Sequence, residues 1–345
     1  MKALYLENIG ELAIKEIPFP ALPDGGAILR VKSAAICGTD LKIFKFGHDR
    51  ISLPWVLGHE VSGILEDVDD PTGYYKPGDR VVLNPTVYCG RCYYCKRGMY
   101  NICLNPNSYG YERPGGFSEY ISLEKDTIQR RELYPISEKI SFDEAALAEP
   151  FACVINGHKD LTIKPESLVI IIGAGPIGIM HSMYTWARGA RSIWIYDINE
   201  KRAGKAIEFS HIEASFSNED RLKKELAYVR EGIGADVVIV AAPSIIAQNL
   251  ALSIVRKRGE VLFFAGLPKG GSQGTINTNL IHYKELKVFG SSNSTGLTME
   301  SALSFISFQK QFFSRIITAR FPLEKAKDAF ATAFSSSSYK VIINP

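Results

Sequence analysis

Apolar and polar residues alternate through the first sixteen positions, MKALYLENIGELAIKE, which is the period of a half-buried strand broken by a turn. Short apolar stretches of this kind continue to about residue 150. They are punctuated by Pro- and Gly-rich segments such as PALPDGG, DDPTGYYKPGDRV and YERPGG. That texture predicts a β-rich domain with long loops. Beyond it the pattern changes. SLVIII (167–172), SIWIYD (192–197), ADVVIVAAP (235–243), GEVLFFAGLP (259–268) and KELKVFGSS (284–292) are almost continuously apolar and separated by helical stretches. Strands without alternation are buried on both faces, so this alternation of strand and helix predicts a parallel sheet with helices on either side. The last fifty or so residues read as helical again (TMESALSFISFQ, LEKAKDAFATAF) and close with a strand, KVIIN.

Within the second region, the strand SLVIII runs into Gly173, Gly175, Pro176, Ile177 and Gly178, a G-x-G-x-x-G turn leading into a helix. Glycines there allow a tight turn, close approach of a pyrophosphate, and close packing of the helix whose positive end faces it. The next strand ends at Asp197, about twenty residues further on. An acid at that point binds an adenosine ribose 2′-hydroxyl and repels a 2′-phosphate, which favours NAD over NADP. Arg202 is the nearby cation able to accept such a phosphate.

The 345 residues carry a net charge of +3, with 46% hydrophobic and 22% charged positions. That balance suits a globular protein with real cores and gives no argument for nucleic acid or an anionic membrane as partner. No apolar run reaches the ~18–20 residues needed to span a bilayer, and the N-terminus lacks the features of a signal peptide, so a cytoplasmic location is expected. Four of the six cysteines, Cys89, Cys92, Cys95 and Cys103, fall in YCGRCYYCKRGMYNIC with the spacing C-x2-C-x2-C-x7-C. In a reducing compartment such a cluster points to a metal. Four thiolates close a tetrahedron around zinc and leave no position open, so this site is structural. A second, dispersed set of donors comprises Cys37 and Asp40 (ICGTD), His59 and Glu60 (GHEVSG), and Glu149 and Cys153 (AEPFAC). A catalytic zinc needs about three protein ligands, but spacing alone does not assemble these residues.

In order along the chain, ICGTD, GHEVSG, KPGDRV, the four-cysteine loop, GGFSEY, AEPFA, GAGPIG, YDIN, GADVVIVAAPS and FFAGLPKG resemble the zinc-dependent medium-chain dehydrogenase/reductase family, closest to its sorbitol (polyol) and threonine dehydrogenase branch. The resemblance implies a GroES-like catalytic domain (1–152 and 292–345) interrupted by a Rossmann domain (153–291), with substrate between them. It implies two zinc ions per chain, NAD as cofactor, and a homodimer or homotetramer acting on a small alcohol or polyol. By the same resemblance Cys37 and His59 bind the catalytic zinc with one of Glu60 and Glu149, the other binding through water or by exchange. Cys153 is then a buried bystander and Asp40 a residue that orients a ligand. Thr39 stands where the family passes the alcohol proton outward. Lys42 stands where many members carry a relay histidine, and His48 is a candidate replacement. Within this frame an aldose or L-threonine dehydrogenase is the alternative substrate class. A non-catalytic, zinc-stapled dinucleotide sensor is the alternative of another kind.

Overall fold

A computed structural model describes every residue except 210, 268–270 and 272. The chain divides into two compact units, Met1–Cys153 with Asn293–Pro345, and Val154–Ser292. Among the described residues no helix is long and apolar enough to cross a membrane.

The first unit is built on a seven-stranded sheet. Its order is Leu133–Pro135, Arg80–Leu83, Glu60–Val68, Ala27–Ala35, Lys340–Asn344 and Ile317–Pro322, with Tyr120–Leu123 also paired to Ala27–Ala35. All pairings are antiparallel except that of the two C-terminal strands. The alternating N-terminus forms the hairpin Lys2–Asn8 and Glu11–Glu16, joined by the short strand Trp55–Val56. One core unites these elements: Leu4, Leu6, Leu29, Val61, Leu65, Tyr109, Phe117, Phe330 and Ile343 are all essentially buried. Each such side chain contributes about 1.5–3 kcal/mol by leaving water.

GHEVSG and GGFSEY are brought together by backbone pairing. Gly115 N donates to Val56 O, Gly116 N to Gly58 O and Phe117 N to Leu57 O. Gly58 has φ +96°, and a Cβ there would lie 2.9 Å from the Phe117 ring. Only glycine serves at this point, and the chain runs from it through the buried His59 into the strand that begins at the buried Glu60.

The second unit is a six-stranded, wholly parallel sheet in the order Ala214–Phe216, Ser192–Tyr196, Leu168–Ile172, Ala235–Val240, Val255–Phe263, Lys287–Gly290. All five residues of Leu168–Ile172 are buried, in keeping with their unbroken apolar run. The predicted strand 259–268 starts four residues earlier and ends at Phe263, and residue 268 lies outside the described residues, as does the end of the FFAGLPKG motif. The order reverses beside Leu168–Ile172, the switch point at which open α/β sheets bind ligands.

Candidate active site and metal centres

The glycine-rich turn stands at that switch point. Gly173, with φ +114°, donates to Tyr196 O at 2.7 Å. A Cβ at Gly178 would lie 1.7 Å from Gly173 O, so the helix Pro176–Ala187 starts hard against the turn. A Cβ at Gly175 would meet nothing within 4 Å, which leaves an open cradle at the helix N-terminus. Asp197 is 8% exposed. One of its oxygens accepts from Ala174 N at 2.8 Å and the other from Asn199 N at 2.8 Å. The carboxylate is therefore fixed in place, and a dinucleotide fits this cradle. Arg202 lies in the following helix, where its backbone N–H donates to the Asn199 side chain.

The four thiols of the 89–103 loop converge. The Sγ atoms of Cys92 and Cys95 are 3.4 Å apart, those of Cys89 and Cys95 4.0 Å, those of Cys92 and Cys103 4.0 Å, and all four lie within 4.8 Å of one another. Zn–S bonds of about 2.3 Å in a tetrahedron require S···S edges of roughly 3.8 Å, so the donor set fits zinc. All six cysteines are free of disulfides. Backbone N–H groups already point at sulfur, Cys89 N at Cys103 Sγ and Cys95 N at Cys92 Sγ. The N–H groups of Leu104 and Cys95 pull the Cys92 thiol down to about 6, whereas burial pushes Cys95 up to about 12. Outside the sulfurs the loop is held by Tyr88 stacked on Tyr100 at 4.0 Å, with the Arg130 guanidinium over Tyr88 and bonded to Cys89 O.

The dispersed donors meet in the first unit. Cys37 is the N-cap of the helix Gly38–Phe46, which the apolar pattern did not announce. Its N–H donates to Asp40 Oδ2 at 2.8 Å. The donor atoms of Cys37, His59 and Glu60 lie within 4.8 Å of one another. His59 is 6% exposed, and its Nδ1 stands 3.4 Å from Asp40 Oδ1. Burial alone would depress the imidazole. The facing Asp40 carboxylate, with Tyr111 and Cys37 adding to it, outweighs burial and holds the ring well above its usual range. A metal ion held by these residues would take the place of that proton, and their anionic donors suit a divalent cation. Soft, borderline and hard donors in one buried cluster thus fit zinc.

Glu60 has a partner that no local pattern announces. Lys340, 2% exposed, clamps both oxygens of the fully buried Glu60 and reaches Ile36 O at 3.3 Å. Glu149, on the helix Ala148–Gly157, stands outside the three-residue cluster but within its field. Burial raises its carboxyl, opposed by His59 and reinforced by Glu60. The Cys153 thiol, one helical turn further on, donates to Glu149 Oε1 at 3.4 Å.

Thr39 and Lys42 lie on the helix that starts at Cys37. Burial depresses the Lys42 ammonium, with Cys37 opposing. That shift is in the direction that improves a lysine as a proton carrier near neutrality. His48 packs edge-on against Tyr111, with centroids 5.4 Å apart, and its Nδ1 accepts from Arg50 N. Tyr111 was missed by sequence reasoning. Its ring lies 5.7 Å from that of His59, and burial raises its hydroxyl to about 12, with His59 opposing and Cys37, Asp40 and Glu149 adding to the effect. Its signal in the sequence is its place in the Pro- and Gly-rich loop YERPGG.

Comparison with known proteins agrees with this geometry. The family model described as alcohol dehydrogenase GroES-like domain matches residues 23–132, and that of zinc-binding dehydrogenase matches 176–307. Sorbitol dehydrogenase of Bacillus subtilis is 30% identical over 100% of this chain and 97% of its own length. L-threonine 3-dehydrogenase of the same organism is 32% identical, covering 100% and 99%. A zinc-binding dehydrogenase of Sinorhizobium meliloti, solved with NADP bound, superposes with a TM-score of 0.88 at 26% identity, covering 100% of this chain and 99% of that one. The chain belongs to the zinc-dependent medium-chain dehydrogenase family and is an oxidoreductase that uses zinc and a nicotinamide dinucleotide.

Proposed function

We propose that the protein oxidises a secondary hydroxyl of an uncharged polyol, with NAD as hydride acceptor. The observation that carries this reading is the convergence of Cys37, His59 and Glu60, with Glu149 beside them. Zinc held by Cys37, His59 and Glu60 would act as a Lewis acid on the substrate oxygen and lower the pKa of the alcohol. Two carboxylates make the centre more anionic than a set with a second cysteine, which suits a neutral, polyhydroxylated substrate.

The protein groups divide the remaining tasks. Asp40 faces Nδ1 of His59 and so orients the ring. Lys340 balances the charge of Glu60 and holds its carboxylate in place. Thr39 and Lys42, one helical turn apart, provide a path for the alcohol proton away from Cys37, with His48 as a further station. The immobilised Asp197 carboxylate disfavours a 2′-phosphate, which supports NAD although the Sinorhizobium protein was solved with NADP. The resemblance further supports a homodimer or homotetramer, and six cysteines outside disulfides support a cytoplasmic location.

A screen of polyols, aldoses and L-threonine with NAD and with NADP tests this reading. Polyol oxidation with NAD, lost in Cys37→Ser, and two zinc ions per chain are expected. Activity confined to threonine would move the substrate class. No activity with one zinc per chain would favour a non-catalytic sensor.

A further inference from the structure

The first unit holds a cavity of about 350 Å³ that has no task in the reaction proposed above. Its walls come from the loop at Tyr74, the segment 131–137 and the helix Gly296–Phe308. Each wall is fixed from behind. The Asp70 carboxylate accepts from the N–H groups of Thr72, Tyr74 and Tyr75 and from Thr72 Oγ1, which ties the loop down. Tyr74 packs edge-on against Tyr75 with centroids 4.8 Å apart, and the Tyr75 hydroxyl donates to Leu133 O at 3.0 Å. Arg131 adopts φ +56°, a left-handed conformation uncommon outside glycine, and its guanidinium lies 4.4 Å from the centre of the Tyr74 ring. The buried Tyr134 closes on the helix: a Cβ at Gly296 would lie 2.7 Å from its hydroxyl. That hydroxyl donates to Glu132 Oε2 at 3.3 Å, which also accepts from Asn84 Nδ2 at 2.6 Å. These contacts shape the cavity without closing it, and its volume lies in the range of small-molecule sites.

The charges on the lining narrow the occupant. Arg131 and Glu300 both line the cavity, and among the described residues neither forms an ion pair, with the other or with a third group. Leu133 and Leu303 give the lining an apolar part. A cleft with low-dielectric walls focuses the field of the charges on it. A simple anion would meet Arg131 favourably and Glu300 unfavourably, and a simple cation the reverse. A molecule that carries both charges satisfies both groups by charge-assisted hydrogen bonds and brings no net charge.

We infer that this cavity is a binding site for a small zwitterion, an α-amino acid with an apolar side chain, whose carboxylate meets Arg131, whose ammonium meets Glu300 and whose side chain packs on Leu133 and Leu303. The site is separate from the metal-ligand residues and does not depend on the polyol reading.

The test is calorimetric titration of the zinc-loaded enzyme with L-valine, isobutylamine and isovalerate, the last two being valine without its carboxylate and without its amine. Valine has no hydroxyl to be oxidised. It should bind the wild type about tenfold more tightly than either analogue. Arg131→Gln should weaken valine to the level of isobutylamine, and Glu300→Gln should weaken it to the level of isovalerate. Absence of saturable valine binding to the wild type, or equal affinities for the three compounds, would overturn the inference without any variant. Valine binding at wild-type affinity in either variant would overturn it as well, and in both variants would place the amino acid at the open metal centre instead.

Discussion

Replacing Lys340 by Met tests whether the Glu60 pair is a structural keystone of the open metal centre. The two groups are 2% and 0% exposed on their side chains, with Nζ 2.5 Å from Oε1. At an effective dielectric constant of about 20, an attraction at that distance is roughly 6–7 kcal/mol. Removing both charges from water costs several kcal/mol each, so the intact pair adds little net stability. The asymmetry lies in removing one partner. Lys340→Met strands a fully buried carboxylate and also deletes the bond to Ile36 O, which should cost about 3–5 kcal/mol. For a unit of this size that amounts to a fall of about 10 °C in Tm, read by calorimetry on metal-free protein. Adding Glu60→Gln removes the stranded charge and should restore most of the loss. The reasoning is refuted if Lys340→Met melts with the wild type, or if the double variant is as unstable as the single one.

Three further outcomes follow from the geometry. Cys103→Ser should reduce bound zinc from two to one per chain by metal analysis, and loosen the 89–103 loop toward proteolysis before activity is lost. Asp197→Ser removes the carboxylate that faces Ala174 N and should shift the ratio of kcat/KM for NADP over NAD upward by at least tenfold, as measured by steady-state kinetics. The buried pair His158 and His181, with ring nitrogens 2.9 Å apart, is held neutral by burial, which lowers His181 to about 3 and His158 well below its usual range. Because both folded values lie below the unfolded one, the stability is complete above about pH 6.5 and is lost as pH falls toward 3. For His181 the loss by pH 5 is roughly 2 kcal/mol, and His158 adds to it in the same direction. Denaturant midpoints against pH should show this slope, and His181→Leu should flatten it.

The parts legible in the sequence are those whose physics is local. The strand Leu168–Ile172, the glycine turn and Asp197 span one βαβ unit, and the thiols of 89–103 lie close enough in the chain to meet whatever the rest does. For such groups spacing and side-chain chemistry suffice. The helix capped by Cys37 escaped notice because its few apolar positions do not form a stripe, and its start is set instead by the Asp40 bond to the Cys37 N–H.

The open centre is of the other kind. Cys37, the adjacent His59 and Glu60, Tyr111, Glu149 and Lys340 come from five places along the chain, and each alone is indistinguishable from a core or loop residue. Lys340 reads as the polar start of the closing strand KVIIN. Only pairing of Lys340–Asn344 with the end of Ala27–Ala35 carries it to Glu60. Likewise Tyr111 reads as a loop aromatic until Arg50 and Glu112 fix its ring beside His59. Local propensity and residue chemistry determined the two folding textures, the dinucleotide turn and the thiol cluster. Long-range strand register and burial, which no short window of sequence encodes, decided which charges face one another in the interior.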